Sequence, residues 1–141
     1  MILHIRIADE DAISILRRNK KKLHGGVCHC FCGGPDVACI YTEELGLHLE
    51  IGGTLLMESE ISEPLRNAVA AVPMEYLLLE TDAPYMKPER PEGITGKKWA
   101  KARNTSLILP VVVEKIAEIK GITVDDVLKI TEENTRRLFR L

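Results

Sequence analysis

A chain of 141 residues has the length of one domain, residues 1–141, with room for one sizeable core. Its 45% hydrophobic and 28% charged content excludes a disordered chain. A net charge of -2 excludes a general basic surplus, so any nucleic-acid contact must be local. No apolar run approaches ~18 residues, so no membrane-spanning helix is expected. The start, Met1-Ile-Leu-His-Ile5, is too short for a secretion signal and lacks its charged opening. The expectation is therefore a cytoplasmic protein with reduced thiols.

Residues 1–5 are apolar around His4 and predict a first strand. Residues 8–20 predict a helix that opens on Asp9, Glu10 and Asp11 and ends in Arg17, Arg18 and a lysine run to Lys22. Acids at the start and bases at the end match the helix dipole. The basic run reads as a solvated helix end, with phosphate binding as the alternative. Residues 26–31, Gly-Val-Cys-His-Cys-Phe, predict a second strand, broken by Gly33, Gly34 and Pro35. On a strand, Cys28 and Cys30 share one face and His29 takes the other. The cysteines lack C-x-x-C spacing, so they read as small buried thiols rather than a thiolate metal site.

Residues 36–45 predict a short helix that Gly46 closes. Residues 47–51 predict a third strand, with His48 and Glu50 opposite Leu47, Leu49 and Ile51. Residues 60–71 predict a helix with Ile61, Leu65, Val69 and Val72 inward, ended by Pro73. Residues 76–81 predict a fourth strand, an apolar run that stops in Glu80 and Asp82 and reads as buried on both faces. A long polar connection follows, from Pro84 to about Arg103, of a length that is usually functional or mobile. Residues 106–120 predict a helix with Pro110 in its first turn and Gly121 closing it. Thr123 to Asp126 look like the capped start of a last helix. It runs to Phe139 and ends in Arg136, Arg137 and Arg140.

Strands recur about every 20 to 30 residues with helices between them, which predicts an α/β fold with a parallel sheet. The arrangement is (β/α)4 with an extra C-terminal helix. Right-handed crossovers put the four strand C-termini on one rim. His4, His29 and Asp82 lie at or near such ends, where parallel folds collect their chemistry. Two imidazoles and a carboxylate suit zinc, iron(II) or manganese and leave positions open for water or substrate. The plainer alternative makes each histidine structural and Asp82 a helix cap. By alternation Glu80 points the same way as Asp82, where it would support a ligand. His24 falls in a loop and His48 outside the set.

These residues resemble a known family. Leu77-Leu-Leu-Glu80-Thr-Asp82-Ala-Pro84-Tyr-Met-Lys-Pro88 resembles the hallmark segment of the TatD-type metal-dependent deoxyribonucleases, in the amidohydrolase-like superfamily. His29-Cys30-Phe31 resembles their second signature, and His4-Ile-Arg6-Ile-Ala-Asp9 their His-x-Arg-x-Ala segment. Arg103-Asn104 and Glu133-Asn134 to Phe139 fit as well. The resemblance covers the whole chain and implies a (β/α)8 barrel that hydrolyses phosphodiesters in DNA at a two- or three-metal site. The divalent metal would be zinc, magnesium or manganese. Carried over by position, it implies that His4 and His29 are ligands and that Asp82 is a ligand or the base that activates water. Arg103 and Asn104 would lie in the loop near the site.

The chain also departs from the family's pattern. Barrels of this type run to ~250 residues, and this chain matches the C-terminal half alone. The half that supplies a His-x-His and a further glutamate has no counterpart here. Cys32 stands where a small polar residue is usual after His-Cys-Phe. Threonine follows Gly53 where a lysine is usual nearby. A half-barrel leaves strand edges unpaired and one sheet face uncovered, which predicts a homo-oligomer through the open edges, or pairing with a separate N-terminal half. The expected function is metal-dependent phosphodiester hydrolysis. The alternatives are a non-catalytic subunit and, against the Glu-Thr-Asp-x-Pro-Tyr motif, a small-molecule amidohydrolase.

Overall fold

The computed structural model describes residues 1–87 and 101–141. Four strands alternate with helices: β1 (Ile2–His4), β2 (Val27–His29), β3 (His48–Ile51) and β4 (Leu77–Leu79). They form one sheet in the order β1-β2-β3-β4, and each neighbouring pair is parallel. The helices are α1 (Asp9–Arg18), α2 (Pro35–Cys39), α3 (Ser62–Ala71), α4 (Leu109–Lys120) and α5 (Val124–Phe139). This is the α/β fold expected, with parallel strands and a second helix after the last one. The middle of the polar connection, residues 88–100, lies outside the described residues, and with it Pro88 of the hallmark segment. No described helix is long and apolar enough to cross a membrane.

Each strand is shorter than the apolar run that predicts it. The hydrogen bonding still continues past the strand ends, because the Phe31 amide donates to the Glu50 carbonyl and the Glu80 amide to the Ile51 carbonyl. The residues that carry chemistry therefore sit on backbone still tied to the sheet. Helix ends follow their local signals. α1 opens on three acids and closes on Arg17 and Arg18, complementing its dipole. Gly121 takes a left-handed conformation, φ 65°, to end α4. The Thr123 hydroxyl accepts from the Asp126 amide to start α5. The helix expected over residues 36–45 is divided: α2 passes into a π-helical turn at Ile40–Glu44. There the Thr42 hydroxyl donates to the Ala38 carbonyl, a back-bond that loosens the helical ladder.

Alternation gives the sheet two different faces. Cys28, Leu47, Leu49, Ile51 and Leu77 pack against the helices, meeting Leu65 and Val69 of α3 and Val112 and Ile116 of α4. Burial of each large aliphatic side chain there contributes roughly 1.5–3 kcal/mol. The strand register sets Ile2 beside Val27 and Val27 beside His48, and sets Glu50 beside Leu78. The opposite face therefore mixes apolar and polar side chains, with His48 in the row of Val27 and Leu78 in the row of Glu50. Val27 and Leu78 are buried there, while His4, His29, Glu50 and Glu80 gather at the strand C-termini.

The two edges of the sheet also differ. Ile2 on β1 is 66% exposed, and no described strand pairs with that edge. On the β4 side two backbone carbonyls have side-chain partners. The Leu77 carbonyl accepts from the Asn134 side chain and the Thr81 carbonyl from the Asn104 side chain.

Candidate metal centre

The site begins with the register of β1 to β3. His4 pairs with His29 across β1 and β2, and their rings lie 5.7 Å apart. Val27 pairs with His48, so two residues further on Glu50 comes beside His29. Glu80, just past the end of β4, completes the row. His29 Nδ1 lies 2.9 Å from Glu50 Oε2 and 2.5 Å from Glu80 Oε2. His29 Nε2 lies 3.5 Å from Asp82 Oδ1. One imidazole thus faces three carboxylates from the ends of two strands.

The electrostatics of this group are tense. Burial alone would lower the His29 pKa, but its hydrogen bond to Glu50 and the charges of Glu80, Glu50 and Asp82 raise it above the ordinary value. Burial pushes Glu80 up to about 7. His29 pulls against that rise, and Glu50 and Asp82 add to it. The Glu80 side chain is only 9% exposed. Among the described residues its Oε2 has no hydrogen-bond partner, although it is close to Nδ1, which also lies within hydrogen-bond distance of Glu50. A buried carboxylate oxygen without a partner is costly unless a proton or a cation meets it. The potential ligand atoms of His29, Glu50 and Glu80 all lie within 4.8 Å of one another. Imidazole plus carboxylates is a donor set that suits a divalent ion. The residues present therefore fit a metal.

The backbone beside the cluster is unusual. Cys30 and Asp82 have φ of 49° and 51°, a region that residues other than glycine visit rarely. The turn at Cys30 corrects the simple alternation: β2 ends at His29, so Cys30 does not share the buried face of Cys28. Its sulfur lies 4.0 Å from Asp82 Oδ2 instead. Cys32 is lowered to about 7, chiefly by its hydrogen bond with Cys30, while burial opposes the shift. Cys30 is raised by that same hydrogen bond, by burial and by the neighbouring negative charges. Both thiols face a cavity of about 930 Å³ that His4, Arg6, His29, Asp82 and Tyr85 also line.

The residues expected at the site meet different fates. His29 and Asp82 come together, and the exposed His4 lies beside them without joining the tight cluster. Glu80 contacts His29 directly. Asn104 is 6% exposed and clasps the loop that bears Asp82: its Nδ2 donates to the carbonyls of Thr81, at 2.6 Å, and Met86, at 3.3 Å. Arg103 is exposed, and nothing among the described residues places it at the cluster. Glu50 is the residue that sequence reasoning missed. Its face was readable from alternation within β3, but its partner depended on the register with β2. His48 stays apart, buried against the Tyr76 ring, and neither ring nitrogen has a hydrogen-bond partner among the described residues. Burial lowers its pKa, and Arg137 adds to the effect.

Comparison with known proteins points one way. A family model described as TatD related DNase matches residues 1–140. The uncharacterized metal-dependent hydrolase YabD of Bacillus subtilis (strain 168) is 34% identical over 143 residues, covering 100% of this chain and 51% of YabD. The 3'-5' ssDNA/RNA exonuclease TatD of Edwardsiella piscicida is 38% identical, again covering 100% of this chain and 52% of that protein. In structure the chain resembles YJJV, a TatD homolog from Escherichia coli K12, with a TM-score of 0.80 and 28% identity. That match covers 99% of this chain and 49% of YJJV. The chain spans about half the length of the curated relatives it matches.

Proposed function

The chain belongs to the TatD related DNase family, and from that premise we propose that it binds a divalent metal and hydrolyses phosphodiester bonds in DNA. The observation that carries this reading is the buried Glu80 Oε2 beside His29 and Glu50, without a hydrogen-bond partner among the described residues. His29, Glu50 and Glu80 would hold the ion, with Asp82 and His4 at its open side. The ion would be zinc, magnesium or manganese, and when bound it supplies a Lewis acid that polarises a phosphoryl oxygen. The chain's own groups supply the rest. Asp82 stands at the cavity and accepts the proton of the attacking water. His29 orients that carboxylate through Nε2. Arg6 lines the same cavity, where a guanidinium suits a phosphate. A relative named as a 3'-5' ssDNA/RNA exonuclease favours single-stranded nucleic acid as the substrate. A cytoplasmic setting fits the four free cysteines.

The test is cleavage of a single-stranded DNA oligonucleotide by the purified chain with magnesium, manganese or zinc, against a chelated control and Asp82→Asn. Metal-dependent cleavage that Asp82→Asn abolishes supports the proposal. A chain that binds metal yet cleaves no faster than the chelated control refutes it. The second reading, a self-associating or complementing subunit, is favoured by the exposed β1 edge. A monomeric mass at micromolar concentration in sedimentation would count against self-association.

A further inference from the structure

Beside the cluster lies a feature that hydrolysis does not use. Cys30 and Cys32 are separated by one residue at the turn that follows β2. The Cys32 thiol donates to the Cys30 carbonyl at 3.3 Å. The two sulfurs are thus held close by a turn whose Cys30 backbone is left-handed. Both are half-buried and line the open 930 Å³ cavity, so a small solute reaches them. The other two cysteines are placed differently. Cys28 is buried under the helices and Cys39 lies at the end of α2.

We infer that Cys30 and Cys32 form a vicinal dithiol that hydrogen peroxide, or another hydroperoxide, closes into a disulfide. The geometry assigns different roles to the two sulfurs. The Cys30 thiol donates to Asp82 Oδ2 at 4.0 Å. Cys32 donates to a neutral backbone carbonyl instead, and is the sulfur that attacks. The Cys32 sulfur takes one peroxide oxygen as the O–O bond breaks, giving a sulfenic acid and one water. The Cys30 sulfur then attacks the Cys32 sulfur, and the S–O bond breaks. The Cys30 proton passes by way of Asp82 to the departing hydroxide, which leaves as a second water. Two thiols are oxidised and one peroxide is reduced. This inference is independent of the hydrolase reading, because thiols and mass report it without turnover.

The experiment treats the purified, fully reduced chain with hydrogen peroxide. Free thiols are counted after denaturation, and the intact mass is measured before and after a dithiol reductant. The expected result is a fall from four thiols to two in a monomeric chain, a mass lower by two hydrogens, and full recovery on reduction. Cys32→Ser and Cys30→Ser, each checked for folding by circular dichroism, should form no intramolecular disulfide. Cys32→Ser should lose thiols at least about tenfold more slowly, whereas Cys30→Ser should lose one thiol with a gain of oxygen and no disulfide. Cys39→Ser should still lose two thiols. Retention of four thiols would overturn the inference. So would a mass gain of oxygen alone by the parent, a bond to Cys28, Cys39 or another chain, or Cys32→Ser reacting at the parent rate.

Discussion

Replacing Asn104 with alanine tests how the loop that carries Asp82 is held. The side chain is 6% exposed. It donates to the Thr81 carbonyl at 2.6 Å and the Met86 carbonyl at 3.3 Å, and its Oδ1 accepts from the Thr105 amide at 2.8 Å. Its backbone amide, which donates to the Pro84 carbonyl, is unaffected by the change. Asn104→Ala therefore removes two donors and one acceptor. At about 1 kcal/mol each, the loss is ~3 kcal/mol, reduced where water reaches the half-buried Thr81 carbonyl. Thr81 and Met86 lie on either side of Asp82 in the chain, so the loosened loop should also weaken divalent-metal binding by ~10–100-fold. Asn134→Ala is the matched control. Asn134 is 1% exposed and donates to the Met74 and Leu77 carbonyls at the other end of β4. It should lose similar stability and keep its metal affinity. Urea denaturation in chelator and metal titration of the folded variants give the two readouts. A loss below ~1 kcal/mol for Asn104→Ala, or equal metal weakening by Asn134→Ala, would refute the reasoning.

Leu49 is 1% exposed at the centre of the sheet, so Leu49→Ala should lose ~2–5 kcal/mol in the same urea assay. Gly53→Ala should destabilise the chain and weaken metal binding, because a Cβ there collides with the Met86 carbonyl; a melting temperature equal to the parent's would contradict this. Glu80 titrates near 7 in the folded chain, above the ordinary carboxyl value of 4.5. Its contribution is therefore fully present below 4.5 and is lost as pH rises through about 7. In chelator, Glu80→Gln should gain stability relative to the parent between pH 5 and pH 8; a difference that is flat across this range would show that Glu80 does not titrate there.

Much of this arrangement was legible because apolar runs end abruptly in polar residues. His29 and Asp82 were placed at strand ends from the sequence, and the structure brings them within 3.5 Å. Caps were equally readable: Gly121 and Thr123 each have one conformational purpose, and each serves it. Glu50 was hidden for a different reason. Its role depends on where β3 slides along β2, a choice made by packing of Leu47, Leu49 and Ile51 against the helices. Alternation within one strand cannot report that. The turn at Cys30 was hidden because left-handed backbone is announced by glycine or asparagine and seldom by cysteine. The π-helical turn at Ile40–Glu44 left no trace in residue spacing.

The central claim is that His29, Glu50 and Glu80 form a metal centre. Equilibrium titration of the metal-free chain with zinc, manganese and magnesium tests it most directly, alongside Glu50→Gln and Glu80→Gln. The parent should bind at least one of these ions saturably, and each substitution should weaken that binding at least about tenfold. No saturable binding of any of the three, or binding that both substitutions leave unchanged, would contradict it.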